Sequence, residues 1–489
     1  MRKLNRRNFL TGTAATAFSL AAWRNAHGAN DAVRIGVVGC GGRGGAHIGA
    51  YAGTDKSGGP KISNVRLVAL CDADSDHLNS DAAKLDKQNL KVDKYADMRK
   101  LLEDKNIDAI SIATPNHQHS IQSIWAMQAG KDVYCEKPIS HNVWEGRKVV
   151  EVQQKTGRIC ATGTQCRSST GLAEAIKFVQ EGNLGKIQHV RGLCYKSRPS
   201  IGHVEGAQPI PKSVDYDIWC GPARMLPLKR SKLHYDWHWV WETGNGDLGN
   251  QGIHQMDIAR CILGENRLSP KVFSVGGRFG YVDDGETPNT MFVYHDYPTA
   301  PLIFEVRGLP GKPAKEGDKK VQMDEYKGAQ VGVVAKCEGG YLVIPSYESA
   351  AAQDSDGKVI KSFKGANNHF KNFIEAVGAR SQKMLAAPIL EGHLSSALCH
   401  TGNISYRLGV QSTQEQIREK LKGNFDAQET FESIGMHLKI NMVDLAKTKA
   451  TLGEFLTMDP NTETFVGNAD ASKMLTREYR APYVVPASV

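Results

Sequence analysis

The residues of this chain whose types and spacing can do chemistry begin at Gly39. Gly39-x-Gly41-x-x-Gly44 follows at once on an apolar run, Val33 to Val38, and opens a helix-like segment. In that setting the glycines permit a tight turn, close approach of backbone to a pyrophosphate, and close packing of helix on strand, with phosphate charge at the helix N-terminus. Arg43 sits inside the same loop. A second apolar run, VRLVALCDAD, ends in Asp72. A carboxylate at that strand tip accepts hydrogen bonds from the adenosine ribose hydroxyls and repels a 2′-phosphate, which favours NAD over NADP. Asp72 lies 33 residues beyond Gly39, against about 20 in the usual fingerprint. The polar insert from Gly53 to Asn64 accounts for the excess as a loop.

Two further segments come directly after apolar runs: TPNHQH, with Thr114, Asn116, His117 and His119, and EKP, with Glu136, Lys137 and Pro138. Ligands of doubly wound sheets collect at such strand ends, so Thr114, Asn116, His119 and Glu136 join Arg43 as cofactor-side candidates. The segment HYDWHWVWETGNGDLGN, ending at Asn250, holds Trp237, Trp239 and Trp241, three of the seven tryptophans, with His238 interleaved. Indoles stack on the C–H faces of sugars while Asp, Asn and His meet hydroxyls, so the composition suits a carbohydrate pocket. Alternating tryptophans suit a core or an interface equally well. His234 and His238 stand four apart without an HExxH context or a cysteine pair, and no metal is expected.

These residues need elements to hold them. Helices near Met98 to Asp104 and Ser120 to Ala129 alternate with the strands DAISIAT and DVYCEKP, which predicts a doubly wound parallel sheet. Beyond Gly157 the pattern changes. A helix, GLAEAIKFVQEG, leads to KIQHVRGLCY, then VFSVGGRFGY, NTMFVYHDY, LIFEVRGL, AQVGVVAKCEGGYLVIP and KVIKSF, before helices over 367–380 and 390–408. Consecutive strands without intervening helices predict an antiparallel sheet. The class is therefore α/β: an N-terminal Rossmann domain over 31–156, an α+β substrate domain over 157–422 with a large, mainly antiparallel sheet, and an extension over 423–489 that straps back.

Residues 1–30 read as a targeting segment: Arg6-Arg7 ahead of Phe9-Leu10, a short weakly apolar stretch and a small-residue site at Ala26-His27-Gly28, resembling a twin-arginine signal. This predicts export through the twin-arginine machinery to the periplasm or beyond. No later stretch is apolar enough to span a membrane. The net charge is +9, but five basic residues and no acid fall in the first thirty positions, leaving +4. That is no footprint for nucleic acid. The ten cysteines lack framework spacing and are expected to be reduced core residues.

The combination GCGGRG, CDAD, ATPNHQH and YCEKPIS, continued in GDLGNQGIHQMDIARCILG, resembles the glucose–fructose oxidoreductase/inositol dehydrogenase (Gfo/Idh/MocA) family over nearly the whole mature chain. The resemblance implies hydride transfer between a nicotinamide and a sugar or polyol carbon. It implies Lys137 as the catalytic lysine, oriented by Glu136, with Pro138 fixing the turn, and His254 as the partner histidine. The family aspartate four residues before that histidine is Asn250 here; an amide orients a hydroxyl but cannot take its proton. Asp257 matches a later family aspartate, three residues on from His254. Substrate contacts are thus expected from Lys137, Trp237, His238, Trp239, Asn250, His254 and Asp257.

An exported nicotinamide enzyme meets no free NAD pool, so its cofactor is expected to be bound before translocation and regenerated in place. Either a second sugar takes the hydride back, or a redox-neutral cycle through a keto-sugar cleaves a glycoside or inverts a centre. The first, an NAD-dependent sugar oxidoreductase, is the leading expectation; the glycosidase or epimerase is the alternative. A non-catalytic sugar sensor is disfavoured by the intact EKP and His254. The open sheet face suggests a homo-oligomer.

Overall fold

The computed structural model describes residues 32–54, 62–312, 321–366 and 368–488. The expected signal, residues 1–30, lies outside them. Six strands form the first sheet: β1 (Val33–Val38), β2 (Val65–Cys71), β3 (Asp93–Tyr95), β4 (Ala109–Ile112), β5 (Asp132–Cys135) and β6 (Cys160–Thr162). They run parallel in the order β3-β2-β1-β4-β5-β6. Strands β4 and β5 are buried along their whole length, as a sheet covered on both faces requires, and so read as unbroken apolar runs. The register does the positioning. Val38 lies level with Cys71 and with Ile112, and Ile112 with Cys135. The chain therefore leaves β1, β2, β4 and β5 along one edge, and strand order reverses between β1 and β4, where a crevice forms. Strand β6 joins this sheet beyond residue 156.

The second sheet contains β7 (Ile187–Tyr195), β8 (Lys271–Gly277), β9 (Thr290–His295), β10 (Leu302–Arg307), β11 (Val331–Cys337), β12 (Gly340–Ile344), β13 (Ser349–Gln353), β14 (Val359–Lys364), β15 (Val410–Ser412) and β16 (Ala450–Leu452). Its order is β14-β13-β12-β11-β7-β10-β9-β8-β16-β15. Only β7 and β10 pair in parallel on that path; the other neighbours are antiparallel. Strand β13, Ser-Ala-Ala-Ala-Gln, was not foreseen because small residues carry no strand signal; its two neighbours impose it. The helices Thr170–Gln180, Ile253–Leu263 and Ile389–Leu408 pack into the larger core of this domain. On a second cluster, Phe431, Ile434 and Leu438 of the helix Phe425–Ile440 meet Phe273, Phe292 and Tyr294, so the chain's own extension covers part of the sheet.

The extension goes further. Strands Ala450–Leu452 and Leu456–Asp459 pair with β8, and Tyr483 and Val485 end inside the core of the first domain beside Ile121 and Ile124. All ten cysteines are unpaired and nine are buried. No helix among the described residues is long and apolar enough to cross a membrane.

Candidate functional site

The cleft forms where the four strand ends meet. Gly39 has φ +87°, and a Cβ there would fall 2.7 Å from the Thr114 amide nitrogen; a side-chain-bearing residue fits neither the turn nor the contact. Gly44 does not face the cleft. A Cβ on it would sit inside the Gly39 carbonyl oxygen, so its task is close packing of helix on strand. Gly42 caps the helix Arg43–Ala52 with no side-chain bond and no acid in the first turn. A Cβ at Gly42 would meet nothing within 4 Å. An uncapped N-terminus opening on empty space fits a phosphate. Asp72 accepts from the Cys40 amide at 2.7 Å and from the Asp74 amide at 2.8 Å, which aims the carboxylate along the cleft edge while burial pushes its pKa up. Thr114 lines the same wall, its hydroxyl donating to Gln122 at 2.7 Å. These features fit a dinucleotide, its adenosine at Asp72 and its pyrophosphate at the glycine loop. The residues Gly39, Gly41, Arg43, Asp72, Thr114, His119, Glu136, Lys137, Trp237, His238 and Asn250 all line one cavity of about 430 Å³.

At its other end lies a buried ionic cluster. Glu136, 3% exposed, accepts from Arg43 Nε at 2.7 Å, faces His47 Nε2 at 3.1 Å, and takes the Lys137 amide at 3.1 Å. Burial opposes its ionisation, but Arg43, with His47 and Lys137, outweighs burial and holds the carboxyl well below the usual range. Lys137 Nζ donates to the Asn250 carbonyl at 2.5 Å. Burial lowers its pKa, Glu136 works against that, and Arg43, Lys196 and Arg198 add to it. The Lys137–Pro138 bond is cis. His254 is buried at the start of Ile253–Leu263, its ring 5.1 Å from that of Tyr347 and its Nδ1 without a partner. Burial first, then the Lys137 charge, keeps it neutral. His238, held to the Tyr235 carbonyl, is likewise neutral, with its pKa lowered by burial to about 3. The cleft can therefore offer a lysine of lowered pKa and one neutral imidazole, that of His238, to a hydroxyl; His254 stands outside the cavity lining.

Several expected residues stand elsewhere. Asp257 is not a substrate contact: it is fully buried, with Arg167 Nε at 2.8 Å and the Ser395 hydroxyl at 2.6 Å. Asn116 is walled in, donating to Asn245. Trp239 is a buried side chain with the Arg198 guanidinium 5.3 Å from its ring, away from the cleft lining. His119 serves the frame, its ring nitrogens 2.6 Å from the Pro138 carbonyl and 2.7 Å from that of Thr114. His117 likewise faces the Trp219 and Thr243 carbonyls. Residues the sequence did not single out also line the cleft, notably His77, Gln118 and Trp219. Asp247, within the segment singled out, carries the Arg198 guanidinium at 2.6 Å. His77 and His234 approach Asp74, with His234 Nε2 2.8 Å from its carboxylate, as a cluster of metal-ligand type that does not include His238.

Comparison with known proteins agrees with this geometry. The model of an oxidoreductase family with an NAD-binding Rossmann fold matches residues 33–164, and that of its C-terminal alpha/beta domain matches residues 171–295. The inositol 2-dehydrogenase of Salmonella typhimurium is 29% identical over 166 residues, 34% of this chain and 46% of that protein. A glycosyl hydrolase family 109 protein of Saccharopolyspora erythraea is 28% identical over 228 residues, 45% of this chain and 42% of that protein. The chain thus spans about half the length of these curated relatives. The crystal structure of the WlbA dehydrogenase from Bordetella pertussis, in complex with NADH and UDP-GlcNAcA, shares the fold with a TM-score of 0.53 at 20% identity, over 75% of this chain and 94% of that one. With both domains matched over more than half its length, the chain belongs to the Gfo/Idh/MocA family of NAD-binding oxidoreductases.

Proposed function

We propose that this protein oxidises a secondary hydroxyl of a sugar, glycoside or polyol, and reduces the corresponding ketone, at the buried end of the cleft. The observation that carries the reading is the Lys137 amine, buried and depressed in pKa, sharing one cavity with the glycine loop and Asp72. NAD bound in that cleft supplies the hydride acceptor for the carbinol carbon. The chain's own residues do the rest. The free-amine form of Lys137 takes the hydroxyl proton as the carbonyl forms, and returns it in the reverse direction. Glu136 fixes the lysine backbone and, by its charge, works against the lowering of the Lys137 pKa. His254, its Nδ1 unpartnered, is buried near enough to Lys137 to feel its charge and helps position the amine. Asn250, in place of a carboxylate, orients a neighbouring hydroxyl and leaves proton transfer to Lys137. Trp237 and the indole of Trp219 supply apolar walls for a ring.

The similarity to a glycosyl hydrolase family 109 protein favours a second reading, in which the keto-sugar is an intermediate and the hydride returns to the same molecule after elimination or epimerisation. Export of the folded, cofactor-loaded protein would suit either cycle, since neither draws on an external NAD pool. One experiment separates the two. The purified protein is mixed with a panel of cyclitols, sugars and aryl glycosides, and both reduced nicotinamide and released aglycone are followed. Reduced nicotinamide accumulating without aglycone supports the oxidoreductase; aglycone without net reduction supports the redox-neutral cycle. Neither signal from any member of the panel would overturn the proposal.

A further inference from the structure

A second cavity, of about 290 Å³, has His141 and Asn142, shortly after the EKP segment, in its lining. It shares no lining residue with the cofactor cleft. Its volume stands at the lower end of the range of small-molecule sites, about 300–1,000 Å³. His400 and Asn403, on the helix Ile389–Leu408, are 3% and 4% exposed. Each leaves one buried polar atom without a partner, His400 Nδ1 and Asn403 Oδ1. The Asn403 amide nitrogen is already spent on the Asn245 carbonyl at 2.9 Å, so the orphan is an acceptor only. A third unpartnered atom is His141 Nε2. Its Nδ1 lies 3.2 Å from Arg477 Nη1. A guanidinium only donates, so Nδ1 accepts and Nε2 carries the proton. Buried polar atoms are rarely left unpaired, and all three belong to residues that line this cavity, a donor-and-acceptor set that suits hydroxyl groups.

The mouth adds charge. Arg224 and Arg477 are both held by Glu242, and Lys473 by Asp470. Arg407 differs: it rests 5.1 Å from the ring centroid of Trp241, and among the described residues no carboxylate pairs with it. An exposed guanidinium over an indole, with Glu286 and Glu242 acting on its charge but neither in direct ion pair with it, presents its planar fork to a carboxylate.

We infer that this cavity is a second ligand site, for a small hydroxylated carboxylate of the sugar-acid class. The carboxylate meets Arg407; the hydroxyls meet His141 Nε2–H, Asn403 Oδ1 and His400. A neutral sugar would leave Arg407 unpaired, and an inorganic anion would leave the three inner atoms unpaired, so neither completes the site alone. The inference does not rest on the proposed function, because the two cavities share no side chain.

The test is calorimetric titration of the full chain, with its cofactor, against glucuronate, gluconate, glucose and inorganic phosphate. Saturable one-to-one binding of glucuronate or gluconate is expected, with glucose and phosphate about tenfold or more weaker. Arg407→Gln, a change at the exposed mouth, should weaken the acid about tenfold or more, and Lys137→Ala should leave its affinity unchanged. Full affinity in Arg407→Gln, loss of binding in Lys137→Ala, equal binding of glucose or phosphate, or no binding of either acid would each overturn the assignment.

Discussion

Two buried ionic clusters flank the helix Ile253–Leu263, and their difference separates chemistry from architecture. One gathers Arg43, His47, Glu136, Lys137 and His254; the other gathers Arg167, Asp257, Arg260, Glu391 and Ser395. In the second every carboxylate is spent. Asp257 takes Arg167 and the Ser395 hydroxyl, while Glu391 takes Arg260 and, at 2.9 Å, Arg167. It is a closed network, in which burial opposes ionisation of Glu391 but Arg260 and Arg167 hold its carboxyl below the usual range. In the first, Glu136 is spent but the cation beside it is not. The Lys137 amine donates to a single backbone carbonyl, and His254 keeps a free ring nitrogen. Buried polar groups tolerate incomplete pairing only where something else completes it. The open cluster borders the cleft; the closed one holds Ile253–Leu263 to the helix Ile389–Leu408.

Four perturbations would break or sharpen that contrast. The largest effect is expected from Lys137→Ala, which removes the proton acceptor: the rate should fall by about 10²–10⁴-fold, with thermal stability and bound dinucleotide retained. Asp257→Ala should do the reverse. Removing Asp257 leaves Arg167 with Glu391 alone and the Ser395 hydroxyl without its acceptor, and breaking such a buried pair costs up to about 3–5 kcal/mol of stability, read as a lowered denaturation midpoint. The turnover of the remaining folded protein should stay near that of the parent. Equal losses of activity in the two variants at matched folded fraction would erase the distinction.

A smaller effect concerns the extension. Burial works against ionisation of Glu463, but His393 at 2.9 Å and Arg147 draw its pKa down to about 2. Its folded pKa is below its unfolded one, so its contribution is complete above the ordinary glutamate value, about 4.3. It is lost as pH falls toward 2, amounting to about 3 kcal/mol. Glu463→Gln should therefore flatten the acid limb of the stability profile over that window and leave the neutral side parallel to the parent. The smallest effect is a shift in the pH profile. Glu136 raises the Lys137 pKa against the lowering effect of burial, and oxidation needs the free amine. Glu136→Gln should move the midpoint of the oxidation rate to lower pH; a midpoint unmoved or raised would remove Glu136 from that role.

Which parts of this were legible in the sequence follows from range. The glycine loop, Asp72 and EKP each sit at the end of an apolar run, so local pattern alone places them at one sheet edge. The register of β1, β2, β4 and β5 then brings them together. Asp257 misled because helical spacing gives a direction from the axis but not what stands opposite; Arg167, 90 residues away, decides that. Trp237 and Trp239 alternate in sequence, yet the turn Asp236–Trp239 is a tight helical one, so one indole borders the cleft and the other is buried beneath it. Trp219 and Gln118 reach the cleft from segments more than 100 residues apart in sequence, tied by the Gln118 amide on the Trp219 carbonyl at 2.8 Å. No local signal marks such a pair. The partial cover laid on the second sheet by Phe425–Ile440 depends on the same kind of long-range contact.

The most direct test of the central claim, that Lys137 takes the proton of the hydroxyl oxidised in the dinucleotide cleft, is a single-turnover measurement on purified protein loaded with NAD. An accepted sugar or polyol is added and the near-ultraviolet absorbance of reduced nicotinamide is followed in the parent and in Lys137→Ala. A rapid rise is expected in the parent and almost none in the variant, with equal dinucleotide bound to both. Reduction at the parental rate in Lys137→Ala, or failure of the parent to retain any nicotinamide dinucleotide, would contradict that claim.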